Sequence, residues 1–246
     1  MNSQNTIEKM KQMRLKGMAE YHYQTTQNKL HQEYTTDQYI ALLVEMEWES
    51  RQNRKMDTLI KAARFKVSAS INDIDYSSSR NLDRNYFERL ASLNFIKNKE
   101  NIIITGATGT GKSYLAQALG HQSCINTHRT MYFNISKLME QIKITKLEGS
   151  YTKFLTKIAK TELLILDDFG LYEFDNTARH ALMDIVETKY DKSSIIITSQ
   201  IPVKMWHELI GEGTIADAIL DRIIYSSHRI ELEGESMRKN RLEKLK

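Results

Sequence analysis

The sequence predicts an α/β fold in which a helical first third precedes a five-stranded parallel sheet flanked by helices. From residue 6 to residue 64 the apolar positions recur at the helical period. From residue 101 onwards, short apolar or β-branched segments alternate with longer helical ones, the pattern of parallel strands joined by crossover helices. The predicted domains are an all-helical domain over residues 1–66 and an α/β domain over residues 67–246.

Composition limits the class of protein. Hydrophobic residues make up 41% and charged residues 27%, values typical of a globular chain that exclude fibrous and low-complexity proteins. The amino terminus lacks the apolar core of a secretory signal, and no run approaches the roughly 20 apolar residues that cross a bilayer. Cys124 is a single cysteine, so no internal disulfide can form. We therefore expect a cytoplasmic protein. The net charge of +4 permits a polyanionic partner without requiring one.

Two helices are predicted in the first third, over residues 6–24 and about 36–64. Arg14 lies within the apolar stripe of the first, where its stem could pass an apolar neighbour or its head could reach a phosphate. In the second, Glu47 and Arg51 are spaced for an i,i+4 ion pair.

The second domain begins with a connection that has no period. It runs from about residue 67 to 84, and a short helix containing Leu90, Leu93 and Ile96 follows. The predicted strands cover residues 101–105, 130–134, 163–167, 194–199 and 229–232. The predicted helices cover residues 112–126, 136–147, 151–161, 176–190 and 214–225.

The segment from Gly106 to Ser113 (GATGTGKS) is a phosphate-binding loop by pattern and by context, because it follows a strand and opens a helix. Its glycines let the backbone approach phosphates and turn N–H groups inward at the positive end of the helix. Lys112 would reach the β- and γ-phosphates of ATP, and the Ser113 hydroxyl would ligate Mg²⁺. The predicted nucleotide contacts are Gly106, Ala107, Thr108, Gly109, Thr110, Gly111, Lys112, Ser113 and Tyr114.

A pair of carboxylates, Asp167 and Asp168, ends the apolar strand Leu163–Leu166. Charges at the end of a buried strand are costly unless they serve a cation or a reaction. Asp167 would contact Mg²⁺ through water, and Asp168 would polarise the water that attacks the γ-phosphate. The sequence therefore predicts ATP hydrolysis.

The strand over residues 194–199 ends in polar side chains. If this strand lies between the other two, Ser199 or Gln200 would emerge beside the γ-phosphate and could sense it. A polar strand end is also the ordinary way in which a buried strand meets a loop, so both interpretations stay open.

Several segments together resemble the IstB-type transposition helper ATPases, relatives of the DnaC helicase loaders. They span most of the chain: Met13–Met18, Asn72–Tyr76, the phosphate-binding loop, Asp167–Gly170, Lys189–Ser194, Trp206, Asp221–Arg222 and Gly234–Arg238. Two departures are Ala107-Thr108 where proline is common and Gln200 where asparagine is usual. The second departure weakens the assignment of Gln200 as a sensor.

The resemblance implies an AAA+ core that forms homo-oligomers through its ATP sites. Arg222 would act as an arginine finger on the ATP of the neighbouring subunit, and Arg238 would be a sensor at the start of the last helix. An ordinary local ion pair between Arg222 and Asp221 is the alternative. Because 14 residues follow Leu232, the helical lid of many AAA+ proteins should be short or absent.

Five lysines on two predicted helices could bind DNA: Lys143, Lys146, Lys153, Lys157 and Lys160. By resemblance, initiator-type AAA+ proteins insert helices between the second and third strands and use them on DNA. Such a stripe suits phosphate contacts without sequence preference. The alternative is a solvated helix face.

Four hypotheses follow for the function. The first is a DNA-bound helper that recruits or regulates the transposase of the same element, and the second is a DnaC-type helicase loader. They share every nucleotide residue, and the similarity over most of the chain favours the first. The third is a small-molecule kinase, which would need an acceptor pocket and no trans-acting arginine. The fourth is a scaffold that binds nucleotide without cleaving it.

Overall fold

Two units make up the chain. In the computed structural model, which describes residues 3–76, 80–211 and 213–237, contacts divide the chain into Met1–Thr58 and Leu59–Lys246. The division falls within a long helix and earlier than the boundary predicted near residue 67. The partner-binding role of the helical domain stays a prediction.

The first third is helical, as predicted. Its helices are α1 (Ser3–Gln12), α2 (Lys16–Gln27) and α3 (Thr36–Ala63), with a 3₁₀ turn at Leu30–Glu33. Helix α3 matches the predicted second helix, and Arg51 Nε lies 2.7 Å from Glu47 Oε1, which confirms the predicted ion pair.

The single helix predicted over residues 6–24 is wrong, because α1 and α2 divide it. Arg14 lies exposed between them with φ of 63°, a left-handed conformation that a helix interior does not accept. Helix α2 starts anew because Glu47, thirty residues away along the chain, caps it: the Gly17 N–H donates to Glu47 Oε2 at 2.8 Å.

An irregular connection follows α3, as predicted, with a 3₁₀ turn at Ile71–Asp73. The short helix predicted next is two helices, α4 (Arg84–Ala91) and α5 (Asn94–Asn98). Leu93 separates them with φ of 64°, and its side chain is nevertheless buried. The apolar side chains there fix the packing, while the backbone turns between them.

Five parallel strands form one sheet within the described residues, which confirms the predicted fold class. They are β1 (Asn101–Gly106), β2 (Thr130–Asn134), β3 (Leu163–Phe169), β4 (Ser194–Ser199) and β5 (Ser227–Leu232). Their order across the sheet is β2-β3-β4-β1-β5. Strand β4 therefore lies between β1 and β3, the arrangement on which the sensor prediction depends.

Helices cover both faces of the sheet. They are α6 (Lys112–Ile125), α7 (Ile135–Leu147), α8 (Tyr151–Ala159), α9 (Asn176–Lys189), α10 (Trp206–Ile210) and α11 (Gly213–Ile224). The sequence predicted all of these except α10, which follows a 3₁₀ turn at Val203–Met205. None of the helices in the described residues combines the length and apolar character that crossing a bilayer requires.

The core has two layers because strand residues alternate between the faces of the sheet. Ile103 and Leu164 pack into one layer with α7 to α11, whereas Ile102 and Ile165 pack into the other with α4, α5 and α6. Burial on both faces explains why these strands are continuously apolar in sequence.

Candidate active site

The carboxyl ends of three neighbouring strands carry the predicted site. Strand β4 pairs with β1, placing Thr105 opposite Ser199, and with β3, placing Leu166 opposite Ile197. The loop after β1 and the acidic residues of β3 therefore lie on either side of the end of β4.

The loop from Gly106 to Gly111 requires its glycines. Gly106, Gly109 and Gly111 have φ of 146°, 85° and 97°, conformations that other residues rarely adopt. A Cβ on Gly106 would lie 2.3 Å from the carbonyl oxygen of Leu232, and one on Gly109 would lie 2.1 Å from Ser236 Oγ. The backbone can curl this tightly because these positions carry only hydrogen.

Lys112 lies over this loop. Its side chain is largely buried, and Nζ donates to the carbonyl oxygen of Ala107 at 2.7 Å. The same carbonyl accepts from Thr110 Oγ1 at 2.9 Å. Lys112 also opens α6, whose first-turn N–H groups have no carbonyl one turn earlier to bind. A cation and a positive helix end thus coincide, which is what a polyphosphate needs.

Ser113 and Asp167, the two predicted metal ligands, are in contact. Ser113 Oγ donates to Asp167 Oδ1 at 2.7 Å, and Asp167 is 1% exposed. A hydroxyl and a carboxylate at the mouth of a phosphate loop form the oxygen donor set that suits Mg²⁺. The residues therefore fit the predicted ion.

Two further side chains hold Asp167, and neither belongs to the site residues predicted from sequence. The Tyr132 hydroxyl donates to Asp167 Oδ2 at 2.6 Å, and the Thr198 hydroxyl donates to Oδ1. Burial and then the hydrogen bond to Asp167 raise the pKa of Tyr132 above its ordinary range, so the phenol remains a donor. These contacts fix the orientation of the carboxylate.

Asp168 has the geometry of a strained functional residue. Its φ is 62°, and the pairing of β3 with β4 shifts register between Leu166 and Phe169, so the strand is irregular where Asp168 lies. Asn134 Nδ2 donates to Asp168 Oδ2 at 2.9 Å. Burial, followed by the charge of Asp167, raises the pKa of Asp168, which makes this carboxylate a better proton acceptor.

The two candidate sensors differ in what their side chains contact. Ser199 Oγ donates to the carbonyl of Phe169 at 2.6 Å and accepts from the Ile201 N–H at 3.0 Å, so the strand end uses this hydroxyl. Gln200 Oε1 instead accepts from Thr108 Oγ1 at 2.6 Å. Gln200 thus contacts the phosphate loop directly, and its sensing role stays a proposal.

Tyr114, also predicted to contact nucleotide, points its hydroxyl elsewhere. The phenol accepts from the Ser70 N–H at 3.3 Å and lies against the connection before α4. Only the backbone of Tyr114, in the first turn of α6, remains for the phosphates.

Arg222 lies at the amino ends of the strands, whereas the phosphate loop lies at their carboxyl ends. Its carbonyl accepts from Asn101 Nδ2 at 3.3 Å, and Asn101 begins β1 whereas the loop follows the end of β1. Its Nε lies 2.7 Å from Glu187 Oε2, so the ion-pair partner is Glu187 rather than Asp221. Arg222 cannot reach phosphates bound to its own chain.

Arg238 lies outside the described residues. So does most of the segment after Leu232, for which the sequence predicts that the lid is short or absent. Just before it, the Met237 N–H donates to the carbonyl of Gly109 at 3.0 Å. The chain after β5 therefore returns to the phosphate loop.

The predicted DNA-binding lysines fall into two groups. Lys153, Lys157 and Lys160 are exposed on or just after α8, opposite the buried Phe154 and Ile158, as the spacing predicted.

The two predicted DNA-binding lysines of α7 have partners. Lys143 Nζ lies 2.9 Å from Asp175 Oδ2, and Lys146 Nζ lies 4.9 Å from the centre of the Tyr151 ring. Lys143 in particular is part of an ion pair and is a poorer candidate than the sequence suggested, because Asp175 already neutralises its charge.

Replacing Lys112 by Ala is expected to weaken ATP binding by at least about 100-fold, because the variant removes the buried cation that we expect to bind the phosphates. Fluorescent ATP-analogue titration would measure the weakening. Lys137→Ala, an exposed lysine on α7, is the matched control and should bind like the unmodified protein. Tight ATP binding by Lys112→Ala would contradict the phosphate assignment.

Comparisons with known proteins agree with this geometry. Residues 8–244 match the protein family described as IstB-like ATP binding protein. The insertion sequence ATP-binding protein y4pL of Sinorhizobium fredii is 39% identical over 239 residues, covering 97% of this chain and 98% of the relative.

Two solved structures share the fold. The DnaC helicase loader aligns with 64% of this chain and 94% of its own, at 21% identity and a TM-score of 0.51. AMPPCP-bound DnaA from Aquifex aeolicus aligns with 74% of this chain and 56% of its own, at 20% identity and a TM-score of 0.59.

Proposed function

Because the chain belongs to the family of IstB-like ATP-binding proteins, we propose that it hydrolyses ATP, assembles on DNA through its ATP sites, and recruits or regulates the transposase of an insertion sequence. The observation that carries the hydrolytic part is the contact between Ser113 and Asp167, with Asp168 directly beside it. This contact joins a phosphate-binding loop to an acidic strand end in one site.

The chemistry divides among side chains of this chain. The N–H groups of the loop and Lys112 bind the phosphates of ATP, and Ser113 with Asp167 would hold Mg²⁺, which when bound neutralises phosphate charge. Asp168 accepts a proton from the attacking water while Asn134 orients its carboxylate. Gln200, bonded to Thr108, would report whether the γ-phosphate is present.

Assembly follows from the position of Arg222. An arginine at the amino ends of the strands can contact ATP only when it comes from a second copy of the chain, next to the copy that binds the ATP. Each ATP then lies between two subunits, so nucleotide binding and oligomer formation are coupled. Head-to-tail interfaces of this kind generate rings or open helical filaments.

DNA binding is assigned to the exposed lysines of α8. Lys153, Lys157 and Lys160 lie on one face of an element between β2 and β3. Among the described residues they have no carboxylate partner of the kind that Lys143 has. Lysine contacts to phosphates carry no sequence information, so we expect binding to any duplex.

The helicase-loader hypothesis uses the same nucleotide residues. What favours the transposition role is the match to an insertion sequence protein over nearly the whole chain, whereas the likeness to the DnaC loader is one of fold. Replacing Arg222 tests the kinase hypothesis, because a kinase needs no trans-acting arginine. Replacing Asp168 tests the scaffold hypothesis, because a scaffold has no turnover to lose.

The experiment on the whole proposal measures particle size by analytical ultracentrifugation with ATP, with duplex DNA, with both, and with transposase added. We expect large assemblies only when ATP and DNA are both present, and association of transposase with those assemblies. A single-subunit species under every condition would contradict the proposal.

The lysine assignment is tested by salt dependence. Replacing Lys153, Lys157 and Lys160 by Gln should weaken DNA binding and reduce the slope of log affinity against log salt by about 0.9 for each phosphate that the variant no longer neutralises. The matched control replaces Lys97, Lys192 and Lys204, which are exposed on other elements, and removes the same charge. Equal slopes for the two triple variants would exclude α8 as the DNA-binding surface.

A further inference from the structure

Arg80 is a buried cation in the connection before α4, and its guanidinium contacts the phosphate loop. The residue is 5% exposed. Its Nη1 donates to the carbonyl oxygen of Thr110 at 3.1 Å, and its Nη2 donates to the carbonyl oxygen of Asp75. A Cβ added to Gly111 would lie 2.8 Å from the same Nη1, so the guanidinium packs directly on the loop.

The backbone that carries Arg80 is itself anchored to the sheet. Its carbonyl accepts from the Glu233 N–H at 3.0 Å, and Nδ2 of the neighbouring Asn81 donates to the carbonyl of Glu231 at 3.2 Å. Both partners lie at the end of β5, which pairs with β1. The guanidinium therefore reaches the loop from a fixed point.

Holding the Thr110 carbonyl has a direct consequence for the next N–H group. In a planar trans peptide the C=O and N–H bonds point in opposite directions. A carbonyl fixed towards Arg80 therefore turns the Gly111 N–H away from Arg80. Gly111 has φ of 97°, a conformation with few steric limits of its own, so an external contact is needed to hold this peptide in one orientation.

From these contacts we infer that Arg80 is a positioning residue of the nucleotide site, which holds the Thr110–Gly111 peptide in the orientation that binds the β-phosphate of ATP or ADP. This role goes beyond the proposed function, because the hydrolysis and the assembly on DNA proposed above assign no role to Arg80.

Charge supports the same role. Burial lowers the pKa of Arg80, but an arginine side chain stays protonated in proteins. Its two acceptors among the described residues are neutral carbonyls. It lies beside the positive end of α6, which Lys112 begins, with Asp75 as a nearby negative charge. Positive charge gathered at one loop is favourable when a polyphosphate binds there.

The test compares Arg80→Ala, Arg80→Gln and Arg80→Lys with Arg89→Ala, a control that removes an exposed arginine of α4. Titration with fluorescent ATP and ADP analogues should show affinity weakened by about 10- to 100-fold for Arg80→Ala, the range for removal of a hydrogen bond to a charged group. Arg80→Lys should recover part of this affinity because an ammonium can serve one of the two carbonyls. Arg89→Ala should bind normally.

A residue that merely stabilised the fold would behave differently. Two measurements separate the roles: thermal unfolding of each variant without nucleotide, and separate determination of KM and kcat. The inference expects KM to rise as affinity falls while kcat at saturating ATP changes less than about three-fold. If Arg80→Ala does not fold, Arg80→Gln and Arg80→Lys provide the same comparison. Unchanged affinity for both ATP and ADP in the folded variants would overturn the inference.

Discussion

Replacing Arg222 by Ala is expected to lower kcat for ATP hydrolysis by about 10³- to 10⁵-fold, the range for a trans-acting arginine. ATP affinity of the isolated subunit should change less than about two-fold, because Arg222 lies at the opposite end of the strands from the phosphate loop. The defect should therefore appear in turnover and in ATP-dependent assembly but not in binding. Steady-state ATPase assays with DNA, combined with nucleotide titration, measure both quantities.

The surroundings of Arg222 make this result interpretable. Its ion pair with Glu187 is partly exposed to solvent, so its removal should cost little stability. Arg229→Ala, an exposed arginine on β5, is the matched control. Full turnover by Arg222→Ala would leave Arg222 with only its ion pair and would remove the reason for coupling ATP to assembly.

The strands and the phosphate loop could be predicted from sequence because the information is local. A buried parallel strand is apolar throughout, and the loop motif has a fixed spacing, so Gly106–Ser113 and Asp167 identify the site by pattern alone. The structure adds the order of the strands, with β4 between β1 and β3, which no local pattern specifies.

The helix boundaries that were wrong depend on distant contacts. Nothing near Arg14 marks the start of a new helix, because the cap of α2 is the Glu47 side chain. Although burial raises it, hydrogen bonds from Arg51 and from the Gly17 and Met18 N–H groups hold the pKa of Glu47 below its ordinary value. A carboxylate supplied by another helix cannot be recognised from the residues around the cap.

The site residues that sequence analysis missed share one property. Tyr132, Asn134 and Thr198 are ordinary strand residues by pattern, and only their register against β3 brings them to the aspartates. Arg80 lies in a segment without periodic pattern, so sequence alone could not show that it is buried against the loop. Lys143 is the opposite case: its position in the sequence suggested a contact with DNA, whereas in the structure it forms an ion pair with Asp175.

Replacing Asp168 by Asn is expected to lower kcat by about 10²- to 10⁴-fold, the range for removal of a general base. Asparagine keeps the shape and can keep the contact with Asn134, so ATP should still bind and ATP-dependent assembly on DNA should survive. Single-turnover assays would measure the decrease. Turnover equal to that of the unmodified protein would contradict the general-base role of Asp168, and the absence of turnover in both proteins would favour a scaffold that binds ATP without cleaving it.

Mixing the Asp168→Asn and Arg222→Ala variants tests both roles together. If Arg222 acts in trans, an interface formed by an Arg222→Ala subunit that holds ATP and an Asp168→Asn subunit that supplies the arginine has every catalytic group. Random assembly of equal amounts would give about a quarter of the sites this composition, since each interface joins unlike surfaces of two subunits. ATPase activity should therefore rise well above that of either variant alone. No recovery in mixtures that still assemble would contradict a trans-acting Arg222, because each variant supplies the group that the other lacks.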